Sequence, residues 1–197
     1  MGSITLVEEA KMIHRSVAVQ YTYEDYLLFP EDGKRRELID GERFMSPAPR
    51  TLHQSILGHL FNAFSNFLKQ SRLGKIFMAP TDVVLSDLDV VQPDLLFISS
   101  INLHLITENN IQGAPDLVVE ILSSSSRKTD EVIKRKLYEQ YGVREYWIVD
   151  PELEMVKIYR MTEKGYSRMA ELSSASNEVL TTPLLSGMEI KLTEIFE

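Results

Sequence analysis

The sequence predicts one α/β domain, a mixed β-sheet flanked by helices. Three observations carry that expectation. An apolar stripe of helical period runs through residues 52–68, short strand-like segments separated by turn residues follow it, and residues 117–149 read as strand, helix, strand. Of the 197 residues, 44% are hydrophobic and 25% charged, a balance that supports a folded core and excludes a disordered chain.

Residues 1–20 have weak periodicity and mixed charge and are expected to be a loosely held lead-in, with the domain over 21–197. Thr22 and Asp25 have capping-box spacing, Tyr26, Leu27 and Leu28 give a short helix an apolar side, and Pro30 stops it. Asp32-Gly33 makes a turn. Residues 36–45 read as a hairpin about Asp40-Gly41, with Glu37 in its first strand. Leu52, Ile56, Leu60, Phe64 and Leu68 recur every fourth residue, joined by Leu57, Phe61 and Phe67, which predicts a packed helix ended by Gly74. Strands are expected at 82–85, 94–98, 117–122, 146–149 and 156–159.

Between the third and fourth of these strands lies a helix with well-marked limits. Serines 123–126 can cap it, Asp130 and Glu131 suit its positive end, and Gly142 terminates it after Tyr141. Ile133, Leu137 and Tyr141 are the expected buried row. Asp130, Lys134 and Tyr138 form a second row, displaced by about 100° around the axis. A strand, a helix and a strand in that order form a right-handed crossover joining parallel strands.

Composition limits the chemistry. The chain has no cysteine, so a metal must be held by oxygen or imidazole, which suits a hard cation such as Mg²⁺, with Mn²⁺ as a substitute. The formal net charge of −8 excludes a protein that coats nucleic acid by bulk electrostatics and leaves room for transient contacts with DNA. No apolar run approaches the roughly 18 residues that span a bilayer, and the N-terminus has no signal-peptide core. A cytoplasmic location without membrane contact is the expectation.

The strand carboxylates are the strongest chemical signal. Residues 117–122 would be a strand covered on both faces, yet Glu120 interrupts its apolar run. A buried glutamate must be neutralised, paired with a cation or placed at a metal. Asp94, at the head of the 94–98 strand, poses the same question. Their plain readings are a core ion pair for Glu120 and a strand-start turn for Asp94. The chemical reading is that both share one divalent ion, which supplies a Lewis acid and an activated water for phosphodiester cleavage. Lys134, on the helix that follows Glu120, would then stabilise developing negative charge.

Other conspicuous residues have plainer expectations. His53 and His59 lie six apart on one helix and cannot form a metal pair, so cap or surface roles are expected, with His53 able to face the site. Asp116 follows Pro115 in turn chemistry and is too near Glu120 on the same strand to be its partner, while Asp82 is a weaker candidate. Tyr146 and Trp147 read as core. Lys34-Arg35-Arg36 and the basic residues at 127–128 and 134–136 suit either phosphate contact or solvated faces.

The segments Glu37-Leu38-Ile39-Asp40-Gly41-Glu42, Gln92-Pro93-Asp94, Pro115-Asp116-Leu117-Val118-Val119-Glu120-Ile121-Leu122-Ser123 and Gly142-Val143-Arg144-Glu145-Tyr146-Trp147-Ile148-Val149-Asp150-Pro151 resemble the Uma-type branch of the PD-(D/E)XK nuclease superfamily. The resemblance runs from about Tyr23 to Phe196 and implies a restriction-endonuclease-like fold with a Mg²⁺-dependent DNA cleavage site. It maps the two acidic motifs to Asp94 and Glu120. The lysine that the parent pattern puts two residues after the glutamate is replaced by Leu122, and the branch's spacing moves it to Lys134. An earlier metal-contacting glutamate maps to Glu37.

Together these readings imply a metal-dependent endodeoxyribonuclease with Asp94 and Glu120 on the metal, Glu37 on metal or water, and Lys134 on charge. Its partner would be DNA in transient contact, with a homodimer left open and the DNA-contacting residues unassigned. Two rivals are a non-catalytic DNA-binding or assembly module and a hydrolase of another phosphate ester. On this reading, Asp94→Asn should abolish cleavage without loss of thermal stability, and Lys134→Met should spare the fold.

Overall fold

The structure, a computed structural model, describes residues 19–30 and 32–197. Residues 1–18, nearly all of the expected lead-in, lie outside the described residues. In chain order the elements are α1 (Tyr23–Tyr26), β1 (Arg35–Ile39), β2 (Glu42–Ser46), α2 (Thr51–Ser71), β3 (Gly74–Met78), β4 (Val83–Val84), β5 (Val90–Val91), β6 (Leu95–Ser99), β7 (Ile111–Gln112) and β8 (Leu117–Ile121). A π-helical segment, Thr129–Lys134, leads into α3 (Arg135–Gln140). Then come β9 (Glu145–Asp150), β10 (Met155–Thr162), β11 (Gly165–Ser173), β12 (Val179–Thr181), β13 (Glu189–Lys191) and α4 (Leu192–Phe196).

The strands form two main sheets rather than the single one expected. A six-stranded sheet has the order β11-β10-β9-β8-β6-β3, a five-stranded sheet the order β2-β1-β5-β4-β7, and β12 pairs with β13. Each main sheet is mixed. Strands β8 and β9, joined by the helical crossover, are parallel, as are β4 and β7, and the other pairs are antiparallel.

Alternation along the central strands decides what each face of the six-stranded sheet meets. Leu95, Phe97, Val119, Ile121, Trp147 and Val149 face α2 and α4, packing on Ile56, Leu60, Phe64 and Ile195. Leu96, Ile98, Val118, Leu122, Tyr146 and Ile148 face the other way, towards α3 and the five-stranded sheet, where they meet Leu137, Ile39, Val83 and Val91. By that parity Glu120 projects with Val118 and Leu122 into the space between the two sheets.

Two local expectations are corrected. Helix α2 ends at Arg72, which takes the left-handed conformation (φ 55°). Gly74 instead opens β3, where a Cβ would collide with the Ile98 carbonyl. In the crossover helix the row of Asp130, Lys134 and Tyr138 is buried throughout, and the expected row only at Leu137. Asp130, Lys134, Leu137 and Tyr138 are buried, whereas Ile133 and Tyr141 are only half-buried. The widened π turn falls where Asp130 and Lys134 turn inward, and what they meet across the interface is the carboxylate of Glu120. The serines do organise the helix start: Ser126 N–H donates to Ser123 Oγ and Ser123 N–H to Ser126 Oγ, both at 3.1 Å. Among the described residues no helix is long and apolar enough to cross a membrane.

Candidate active site

The antiparallel register of β6 and β8 pairs Leu95 with Val119. One step further along the same register, Asp94 stands opposite Glu120, and cross-strand partners share a face at about 5 Å between Cβ atoms. Both side chains line one cleft of about 430 Å³, together with Arg35, Glu37, Lys134 and the serines of the loop after β8. Glu37 arrives from β1 of the other sheet. It shares its strand face with Arg35 and Ile39, and Ile39 packs between the two sheets.

Asp94 is 3% exposed and fully partnered. Arg35 Nη1 donates to its Oδ1 at 2.7 Å, the Ile121 N–H donates to Oδ2 at 2.8 Å, and His53 Nε2 lies 3.1 Å from Oδ2. Burial alone would raise this carboxyl. The His53 hydrogen bond, the Arg35 charge and the Ile121 N–H outweigh it and hold Asp94 at about 2.

Glu120, 2% exposed, sits in the opposite situation. Its Oε1 accepts from Lys134 Nζ at 3.0 Å and from Tyr138 OH at 2.8 Å, and Oε2 accepts no hydrogen bond among the described residues. Lys134 Nζ also lies 2.8 Å from Glu37 Oε1 and 3.7 Å from Asp130 Oδ1. Glu37 Oε1 is fixed in turn by the Gln92 N–H at 2.8 Å. Burial outweighs the lysine's pull and, with the negative charges of Asp130, Asp94 and Glu37, pushes Glu120 up to about 8. Burial likewise raises Asp130 to about 6. Burial disfavours the Lys134 ammonium, but Glu120, Glu37 and Asp130 overcome this and hold it protonated well above the usual lysine range.

Four carboxylates, Glu37, Asp94, Glu120 and Asp130, thus face two strongly held cations, Arg35 and Lys134. No three histidine, cysteine, aspartate or glutamate side chains among the described residues converge as a preformed metal cage. Mg²⁺ does not require one, since it commonly takes one or two carboxylates and fills its octahedron with water and substrate phosphate. Asp94 and Glu120 fit that pattern. They supply hard oxygen donors, one Glu120 oxygen accepts no hydrogen bond among the described residues, and the crowd of negative charge that, with burial, raises Glu120 is what a cation would offset.

The structure brings Asp94, Glu120, Glu37 and Lys134 into one cleft with two further residues. His53 takes the site-facing alternative rather than a cap or surface role and is buried against Asp94. Arg35, read within a basic patch, turns inward, and the alternation Arg35, Glu37, Ile39 was the signal that could have revealed it. Lys134→Met can no longer be expected to spare the fold, because the ammonium is the buried counter-ion of three acids. Asp94→Asn relieves some repulsion on Glu120, but it removes the carboxylate that Arg35, His53 and the Ile121 N–H stabilise as an anion, so a loss of stability is expected. Asp116 lies at the other end of β8, where it accepts from the Ser99 N–H at 2.7 Å and from Asn102. Asp82 accepts from Tyr26 OH and Gln92 Nε2 outside the acidic cluster. His59 Nδ1 lies 3.0 Å from the Ile195 carbonyl. Trp147 is core, with its Nε1 donating to Glu145 at 2.7 Å.

Comparison with known proteins places the chain. No curated protein matches it. A solved structure described as a putative nuclease belonging to DUF820 from Anabaena variabilis ATCC 29413 matches with a TM-score of 0.74 at 20% identity, covering 89% of this chain and 97% of that one. At that identity the likeness speaks for the fold, which is restriction-endonuclease-like. The family model Uma2, described as "Putative restriction endonuclease", matches residues 23–193, and the chain belongs to that family.

Proposed function

We propose that the chain is a Mg²⁺-dependent endonuclease that hydrolyses DNA phosphodiester bonds in the 430 Å³ cleft. The observation that carries this reading is the placing of Asp94 opposite Glu120 with Lys134 Nζ 3.0 Å from the glutamate. Family membership supports nuclease chemistry in general terms. Asp94 and Glu120 would hold the metal, which when bound supplies a Lewis acid and a water acidic enough to attack phosphorus.

The chain's own residues do the rest. Arg35, His53 and the Ile121 N–H keep Asp94 ionised and aimed into the cleft. Tyr138 fixes the Glu120 carboxyl through Oε1. Lys134, held protonated, offers its ammonium to the charge that builds on the phosphoryl oxygens. Glu37 orients that ammonium from the opposite sheet and would position metal or water there. On a chain of net charge −8, contact with DNA would be local and transient.

One observation favours a second reading: every carboxylate of the cluster already has a cationic or hydrogen-bonding partner, as a purely structural network would. That reading is a non-catalytic DNA-binding or assembly module. Supercoiled plasmid incubated with purified protein separates the two. The nuclease nicks it in Mg²⁺ or Mn²⁺, is silent in EDTA, and loses the activity in Asp94→Asn. Equal cleavage by wild type and Asp94→Asn marks the activity as contamination and leaves the module.

A further inference from the structure

Five carboxylates line the acidic cleft, those of Glu37, Asp94, Glu120, Asp130 and Glu152, against three permanent cations, Arg35, Lys134 and Arg50. The protein itself consumes two of those cations. Arg35 Nη1 lies 2.7 Å from Asp94, and Lys134 Nζ lies 2.8 Å from Glu37 and 3.0 Å from Glu120. Arg50 is exposed at the mouth of the cleft and forms no ion pair among the described residues. Even Glu152, the one exposed acid of the lining, pairs elsewhere, with Arg127 at 3.6 Å.

The basic runs of the sequence offer this cleft no substitute. Lys34 and Arg36 pair with Asp32 at 3.4 and 2.7 Å, Arg127 pairs with Asp150 at 2.6 Å, and Arg135 lies over the Tyr159 ring. Lys128 and Lys136 are exposed but do not line the cleft. Arg50 is, moreover, held in place from both sides. Pro47 and Pro49 restrict the backbone that leads to it, and it begins α2 as the N-cap, its carbonyl accepting from the Gln54 N–H at 3.1 Å. The first turn of α2 contains no acidic residue, so nothing on its own helix competes for the guanidinium.

A polyanion entering a cleft with five carboxylates is repelled, and a metal on Asp94 and Glu120 would offset this only at the reacting phosphate. The next phosphate along the strand needs a cation of its own, and a guanidinium fork matches phosphate oxygens. We infer that Arg50 is a phosphate-contacting residue, which holds the DNA backbone at the cleft mouth beside the scissile phosphate. The inference rests on the reading of DNA as substrate. A contact of this kind fixes register and carries no sequence information.

The test is fluorescence anisotropy of a short labelled DNA duplex with wild type, Arg50→Gln, Arg50→Lys and Lys69→Gln, in Ca²⁺ and between about 50 and 200 mM KCl. Arg50→Gln should weaken binding several-fold whatever the DNA sequence, and lower the slope of log affinity against log salt by about 1. Arg50→Lys retains the charge and should retain the slope. Lys69 is an exposed residue in the last turn of α2, about 28 Å from Arg50 along the helix, so Lys69→Gln removes the same charge away from the cleft and should leave the slope as it is. An unchanged slope in Arg50→Gln, an equal fall in Lys69→Gln or Arg50→Lys, or no binding of DNA by wild type overturns the contact. Plasmid cleavage by wild type, read in parallel, keeps the two ideas apart: cutting with an unchanged slope in Arg50→Gln removes the contact alone, and a lowered slope without cutting removes the nuclease alone.

Discussion

Asp94 and Glu120 occupy opposing positions of one antiparallel pair, yet their surroundings push their protons in opposite directions. At the Asp94 end, a guanidinium, an imidazole and a backbone N–H converge on one carboxylate, and it stays ionised down to about 2. At the Glu120 end, one ammonium is divided among three carboxylates, and burial raises the glutamate to about 8. Burial is nearly equal at the two ends, 3% exposed against 2%, so it cannot explain the difference. The number of positive partners per acid does. One half of the cleft is built as a fixed anion, and the other as an acid that a further cation would ionise.

The sharpest way to break this comparison is to neutralise each end in turn. Asp94→Asn leaves Arg35 without its counter-ion and removes charge-assisted hydrogen bonds, so it should destabilise the protein by about 2–3 kcal/mol. Glu120→Gln at neutral pH replaces an acid already protonated and keeps an acceptor for Tyr138, so its cost should stay within about 1 kcal/mol. Urea denaturation of the two variants checks this. Equal losses would mean that the two ends do not differ.

The pH dependence of stability should be the next largest effect. Glu120 is raised from 4.5 to about 8 on folding and Asp130 from 3.8 to about 6. The stability each contributes is fully present below the unfolded value and is lost as pH rises through the folded one. Asp94, depressed from 3.8 to about 2, contributes stability above 3.8 that is lost only as pH falls through about 2. The urea midpoint of wild type should therefore fall between about pH 5.5 and pH 8, and Glu120→Gln should flatten the upper part of that slope. A wild-type midpoint that rises over this interval would contradict the assignment.

The smallest effect concerns Tyr138. Removing its hydroxyl in Tyr138→Phe takes one donor from Glu120 Oε1, which should cost about 1 kcal/mol and push the glutamate further up. The shift would show as a higher pH for the onset of divalent-ion binding, because the carboxyl must ionise to ligate.

How far the sequence anticipated this arrangement varied with the kind of signal. The stripe from Leu52 to Leu68, the Asp40-Gly41 hairpin and the apolar strand around Glu120 were readable because each has one period and one partner face. Strand β11, Gly165–Ser173, was not, since it is half exposed and its composition follows no alternation that marks a buried face. The division into two sheets was hidden because β4, β5 and β7 are two residues each. In the site, Glu120 and Lys134 stood out as charges within apolar context. Arg35 did not, because a basic triplet looks the same in sequence whether it faces solvent or a carboxylate 59 residues away, and His53 could be read as able to face the site but not as the partner of a carboxylate 41 residues away.

On the proposed reading Asp94 and Glu120, unlike in charge state, would act together on one divalent ion. Calorimetric titration of Mn²⁺ into the metal-free protein tests it without recourse to catalysis. One site is expected in wild type, with affinity that increases towards pH 8 as Glu120 ionises, and with binding lost in both Asp94→Asn and Glu120→Gln. Binding that survives both substitutions, or no binding in wild type at pH 8, would contradict the account.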